Sequence, residues 1–199
     1  MESIRVLVLA LLIIGQSIRA NENKIEIRNQ LSHESIYSGN SINRALGKLN
    51  LLGGKLIIDL PEGFGLMSAE MLAVKYPSSN RPTLVYTNEN GTINFVFNHT
   101  KNAIPKDKLP ELLPAFVGQF SSIYPQIKWY KNEMQKVNGK DFIVLEFMTP
   151  ATDSKIYNIM YITVLEGRML MCTFNCLESQ KSEWETKAKA SLNSVTINE

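Results

Sequence analysis

The stretch from Phe142 to Cys176 constrains the fold of this chain more than any other. It reads as three strands, Phe142–Met148, Ile156–Leu165 and Met169–Cys176, each rich in β-branched and aromatic residues and separated by turn-formers. Apolar residues occupy both parities. Along the middle strand Tyr157, Ile159, Tyr161 and Leu165 point one way, and Ile156, Met160, Ile162 and Val164 point the other. A sheet wetted on one side would leave half of them in water, so both faces must be covered.

Two helices are available as covers. From Leu109 the apolar period changes to a helical one, through Leu112, Leu113, Phe116, Val117, Phe120, Ile123 and Tyr124. Pro105 and Pro110 suit the approach and first turn, whereas Pro114 predicts a kink or a later start. The second helix runs from Ser182 to about Asn193, with Ser182-Glu-Trp-Glu185 as a capping box. Glu183 with Lys187 and Glu185 with Lys189 form i,i+4 pairs in the favourable order. Ahead of these elements come a strand over Lys55–Leu60 and a short helix over Ser68–Lys75 with Ser68 as N-cap. A hairpin, Thr83–Thr87 and Thr92–Asn98, turns on Asn88-Glu-Asn-Gly91. Residues 126–137 read as one strand leading into the turn Asn138-Gly139. The expected fold is α+β: an α/β/α sandwich in which a mainly antiparallel sheet carries helices on both faces.

The beginning of the chain follows a different rule. Arg5, the ten-residue apolar run from Val6 to Gly15 and the small residues after it form a secretory signal pattern, with cleavage after Ser17 or after Ala20. The run is shorter than the about 20 residues needed to span a bilayer. The expected organisation is therefore a signal over 1–20, a polar lead-in over 21–52 and one domain over 53–199, in a secreted or periplasmic protein with no stable membrane span once the signal is removed. Loss of 1–20 leaves 19 basic and 18 acidic residues, a surface of no marked sign. Nothing in it suits nucleic acid or a polybasic contact with a membrane surface.

Catalytic constellations are poorly represented. The two histidines, His33 and His99, have no neighbours at metal-ligand spacing, and His99 reads as an exposed turn residue. No Gly-x-Ser-x-Gly elbow is present, and no cofactor or metal is implied. Cys172 and Cys176 share one face of one strand, with Cα atoms about 13 Å apart if the strand is continuous, beyond the under-7 Å reach of a disulfide. Two buried thiols are the favoured reading, and a disulfide would require a turn or bulge at Asn175. Among the carboxylates Asp59, Glu146 and Asp153 are candidates for chemistry. Glu146 interrupts an apolar strand, which places it at an exposed edge or in a salt bridge. Asn90-Gly-Thr92 and Asn98-His-Thr100 match glycosylation acceptors. Two loops combine cations, aromatic rings and polar groups: one carries Lys75, Tyr76, Asn80 and Arg81, the other Asp153 and Tyr157. They form the expected binding surface.

Several segments resemble the PsbP-like superfamily: Leu56-Ile-Ile-Asp-Leu-Pro-Glu-Gly-Phe64, the central amphipathic helix, Glu166-Gly-Arg-Met-Leu-Met-Cys-Thr-Phe174, and Trp184 through Leu192-Asn-Ser-Val195. The likeness spans residues 53–197 and extends to the DcrB-like exported bacterial proteins. It implies an α/β/α sandwich acting mostly as a non-catalytic binding or assembly module, and it assigns a role to no single residue. The combined expectation is an exported accessory protein whose partner is a protein or small molecule of the cell envelope. The alternatives are an envelope hydrolase using carboxylates and a chaperone-like module for secreted proteins.

Overall fold

The computed structural model describes residues 47–77, 81–151 and 153–198. The signal over 1–20, most of the lead-in, His33 and Asn80 lie outside the described residues. In chain order the elements are β1 (Gly47–Leu51), β2 (Leu56–Leu60), β3 (Gly65–Leu66), α1 (Ala69–Lys75), β4 (Leu84–Thr87), β5 (Asn94–Ala103) and α2 (Leu109–Ile123). There follow β6 (Lys128–Val137), β7 (Lys140–Pro150), β8 (Lys155–Leu165), β9 (Arg168–Leu177), α3 (Lys181–Asn193) and β10 (Thr196–Ile197).

Seven strands form the middle layer in the order β3-β4-β5-β9-β8-β7-β6, with every neighbouring pair antiparallel. The double parity of the sequence becomes two cores. On one face Ile143, Leu145, Phe147, Met160 and Ile162 meet Leu109, Leu112, Phe116 and Phe120 of α2. On the other, Tyr157, Ile159, Tyr161, Cys172 and Phe174 meet Ala188 and Leu192 of α3. Each fully buried aromatic or aliphatic side chain contributes about 1.5–3 kcal/mol relative to exposure, so neither face could be left bare.

The second face has a further cover that the sequence does not announce. β2 does not join the large sheet; it lies between β1 and β10 in a separate three-stranded antiparallel sheet. Leu56, Ile58 and Leu60 of β2, with Leu51 of β1, point into the same core as α3. The lead-in thus ends in a strand that packs on the domain.

Local chemistry explains most of the boundaries. The Ser68 hydroxyl accepts from the Met71 amide at 3.2 Å and caps α1. Asn88 Oδ1 accepts from the amides of Thr92 and Ile93 in the β4–β5 turn, where Gly91 has φ +66°. Asn138 and Gly139, both with positive φ, join β6 to β7.

Three expectations need correction. α2 starts at Leu109 and runs through Pro114 instead of beginning after it. Ser182 does not cap α3, because a 3-10 turn over Glu178–Gln180 enters the helix earlier and the Gln180 side chain accepts from the Leu177 amide. His99 lies within β5, half-buried, rather than in a turn. Of the two placements expected for Glu146, an exposed edge or a salt bridge, the structure shows the salt bridge: Glu146 is 6% exposed and paired with Lys189.

Candidate functional site

Glu146 is the point from which a polar cluster grows. It sits on β7 opposite Ile159 of β8, on the α3 side of the sheet. Its Oε1 accepts a 2.6 Å hydrogen bond from the Tyr157 hydroxyl, and its Oε2 lies 3.0 Å from Lys189 Nζ. Lys181, Glu185 and Lys189 are spaced by four along α3, so a single stripe of the helix meets the sheet here. Glu185 takes Lys189 on Oε1 at 2.6 Å and Lys181 on Oε2. The result is an alternating chain, Lys181–Glu185–Lys189–Glu146, closed by Tyr157.

A defect in the edge strand completes the cluster. Trp129 pairs with Phe147 and Lys131 pairs with the next residue, Glu146, so Tyr130 is the extra residue of a β-bulge. Trp129 stays on the α2 side, against Phe120 and Phe147. Tyr130 instead packs on Tyr157, ring centroids 6.0 Å apart at 72°. It remains 41% exposed. Lys181 Nζ lies 5.0 Å from the Tyr130 centroid and 4.8 Å from that of Tyr157, and Lys128 Nζ lies 5.2 Å from Tyr130. These are cation–π distances.

The electrostatics follow from this packing. Burial first, then the bond to Glu146, raise the Tyr157 hydroxyl far above its ordinary value. The hydrogen bonds from Lys181 and then Lys189 hold the Glu185 carboxyl below the usual range. For Lys189, burial is the largest single influence and acts downward, yet the bonds to Glu185 and Glu146 outweigh it and the ammonium is raised. Burial pushes both thiols, Cys172 and Cys176, up to about 12. Both are free and lie in a strand whose pairing with β8 continues past Asn175 without a bulge.

A second polar node lies at the opposite end of the sheet. His99 Nε2 meets the Leu165 carbonyl oxygen at 3.0 Å, so that nitrogen carries the proton, and Arg168 donates to Nδ1 at 3.3 Å. Arg168 also pairs with Glu166, which is bonded to Lys55, so the node ties the large sheet to the small one.

The residues predicted for a loop surface divide between these regions. Asp153 is exposed in the β7–β8 turn, at the same end of the sheet as Tyr157 and Tyr130. Arg81 is exposed near the other end, since Thr83, two residues on, accepts from the His99 amide. β8 runs between these ends, a span of roughly 35 Å for a strand of its length. Tyr76 is fully buried, and Lys75 donates to the Gly91 carbonyl beneath α1. Sequence reasoning missed Tyr130, Lys128 and Lys181. The available signal was the lone acid in an apolar strand, whose partner had to lie on a packed element. Among the described residues no three His, Cys, Asp or Glu side chains gather as a metal set, and no helix is long and apolar enough to cross a membrane.

No family model and no curated protein matches the sequence. Solved structures do share this arrangement of layers. One is the cyanobacterial PsbP protein, CyanoP, of Synechocystis sp. PCC 6803, with 13% identity over 84% of this chain and 99% of that one, at a TM-score of 0.57. The fold is PsbP-like. LpqN, involved in cell envelope biogenesis of Mycobacterium tuberculosis, is similar at 13% identity over 72% of this chain and 83% of that one, TM-score 0.50. At such identity the likeness is one of architecture, and function has to be argued from side chains. In this PsbP-like fold the most elaborated group of side chains is the Tyr130–Tyr157 corner.

Proposed function

We propose that the chain is an exported, non-catalytic binding or accessory protein of the cell envelope, and that its contact surface is the end of the sandwich carrying Tyr130, Lys128 and Asp153. One observation carries the reading: a bulge turns an aromatic side chain outward between two lysines, beside an exposed turn, on a rigid sheet. Exposed aromatic and cationic groups on a fixed scaffold are the usual anchors of recognition. Arg81 would belong to a separate contact, because a small molecule cannot span the length of the sheet, and Lys75 is engaged at the β4–β5 turn through the Gly91 carbonyl. The signal pattern over 1–20 and the PsbP-like fold shared with an envelope-biogenesis protein support the export part of the reading.

No observation favours the hydrolase alternative. Glu146 is already bonded to Tyr157 and Lys189, whereas Asp59 lies exposed on the small sheet and Asp153 in a turn, so these acids do not form an acid–base pair. The chaperone-like alternative calls for a continuous apolar patch. Among the described residues the exposed large apolar side chains, Leu66, Val74, Ile123 and Tyr130, sit on four different elements.

The test has two arms. Mass spectrometry of the protein recovered from its own cells should find a mature N-terminus after Ser17 or Ala20, and recovery of the uncleaved chain from the cytoplasm would refute export. The mature chain used as bait on an envelope fraction should capture a partner that is lost with Lys128→Ala/Tyr130→Ala. A partner retained by that variant would move the contact elsewhere, and no specific partner at all would count against binding.

A further inference from the structure

The geometry points to the corner between Tyr130 and Tyr157 as a binding site for a quaternary ammonium group, which in this structure is filled by the chain's own Lys181. The inference rests on the reading of this end of the sandwich as a binding surface and names its ligand chemistry. Two rings at 72° present their faces to one ammonium at 5.0 and 4.8 Å, with the Glu185 carboxylate as counter-charge. Aromatic faces plus an acid are the elements by which proteins hold alkylated ammonium ions.

Lys181 can leave without depriving either acid of its last partner. Glu185 keeps Lys189 on its other oxygen, and Glu146 keeps both Lys189 and Tyr157. The four-residue chain balances two acids against two lysines, so withdrawal of the Lys181 ammonium leaves an excess negative charge behind the rings. The way in is open. Lys181 is the first residue of α3 with its side chain 25% exposed, and Tyr130 is bulged out of the edge strand to 41% exposure. An alkylated ammonium fits better than a second lysine, because it is less strongly hydrated and needs no hydrogen-bond acceptor at the ring faces. Lys181 therefore acts as a tethered competitor, swinging into solvent when the ligand enters.

The probes are tetramethylammonium and choline, titrated into the mature chain at constant ionic strength and followed by the tyrosine ring signals and ligand methyl signals in NMR. Lys181→Ala should bind both probes roughly tenfold more tightly than the natural chain, as expected if the tethered ammonium fills the site about nine-tenths of the time. The ligand methyl signals should move upfield under the rings. Lys181→Arg should stay closed, and Tyr130→Ala in the Lys181→Ala background should lose binding. Phosphatidylcholine vesicles, in a sedimentation arm, separate the sources: co-sedimentation of Lys181→Ala identifies a lipid headgroup, and choline binding without it identifies a free ligand. Both agree with the assigned chemistry. Equal affinity of the natural chain and Lys181→Ala, with near-UV circular dichroism unchanged, would overturn it. If the bait captures an envelope partner that tetramethylammonium fails to displace, the binding reading stands and the ammonium site is lost.

Discussion

Breaking the Glu146–Tyr157 contact should cost far more than breaking any surface ion pair of this protein. Tyr157 is fully buried and Glu146 is 6% exposed, and their oxygens are 2.6 Å apart. A hydrogen bond to a charged group contributes roughly 1.5–3 kcal/mol net. Glu146→Ala also leaves the tyrosine hydroxyl unpaired and removes buried methylenes, which brings the expected loss to about 3–4 kcal/mol. The Lys189 share is small, because that side chain is 38% exposed and retains Glu185. Urea unfolding of Glu146→Ala, Tyr157→Phe and the double variant gives the coupling directly. It should be about 1.5–3 kcal/mol, and the melting temperature of each single variant should fall by roughly 2–4 °C per kcal/mol lost.

The pH dependence adds an independent readout. The folded Tyr157 hydroxyl holds its proton well above the ordinary value of 10.0, through burial and then the bond to Glu146. Its stabilisation is complete below pH 10 and declines as the pH rises through the folded value, because the unfolded chain releases the proton first. Tyr157→Phe should flatten this alkaline decline. Coupling under about 0.5 kcal/mol together with an unchanged alkaline slope would refute the idea that this buried bond between β7 and β8 is a major stabilising contact of the sheet.

Three other outcomes are expected. Cys172 and Cys176, raised by burial from 9.0 to about 12, should resist a thiol reagent at pH 8 in the native protein and both react once it is unfolded; rapid native labelling would contradict their burial. Asn138 adopts φ +46° and its amide donates to the carbonyls of Asn193 and Val195 at 3.0 and 2.8 Å, so Asn138→Ala should cost about 2–4 kcal/mol in urea unfolding. Asn138→Gly keeps the backbone conformation and should cost only about 1–2 kcal/mol. At Gly91 a Cβ would sit 2.8 Å from Met71 Sδ at φ +66°, so Gly91→Ala should lose at least about 1–2 kcal/mol and lower the melting temperature, while Gly118→Ala, in open space, should not.

The layers were readable because burial imposes a period on the sequence. Tyr157, Ile159 and Tyr161 against Met160, Ile162 and Val164 can only be a strand buried on both faces, and that pattern alone requires two covers. The turns were readable for the same local reason, since Asn138-Gly139 supplies the two positive φ angles that a tight hairpin demands. β1 was not readable. Its five residues are mostly exposed and become a strand only because β2 is there to pair with. The site was half-readable. An acid at position 146 of an apolar strand announces a partner, but which partner depends on the rotation of α3, and the surface-like spacing of Glu185 and Lys189 conceals it. Tyr130 was not readable at all, because a bulge is decided by the register of two strands and not by the residue that is displaced.

The three-stranded sheet also sets an order in time. β2 lies between a strand near residue 50 and one near residue 197, so the roof over the core containing Cys172 and Phe174 is complete only once Val195–Ile197 are in place. A chain leaving a ribosome therefore holds all seven strands of the large sheet before β10 can complete the roof. Closure of that roof waits for β10, the last of the described elements.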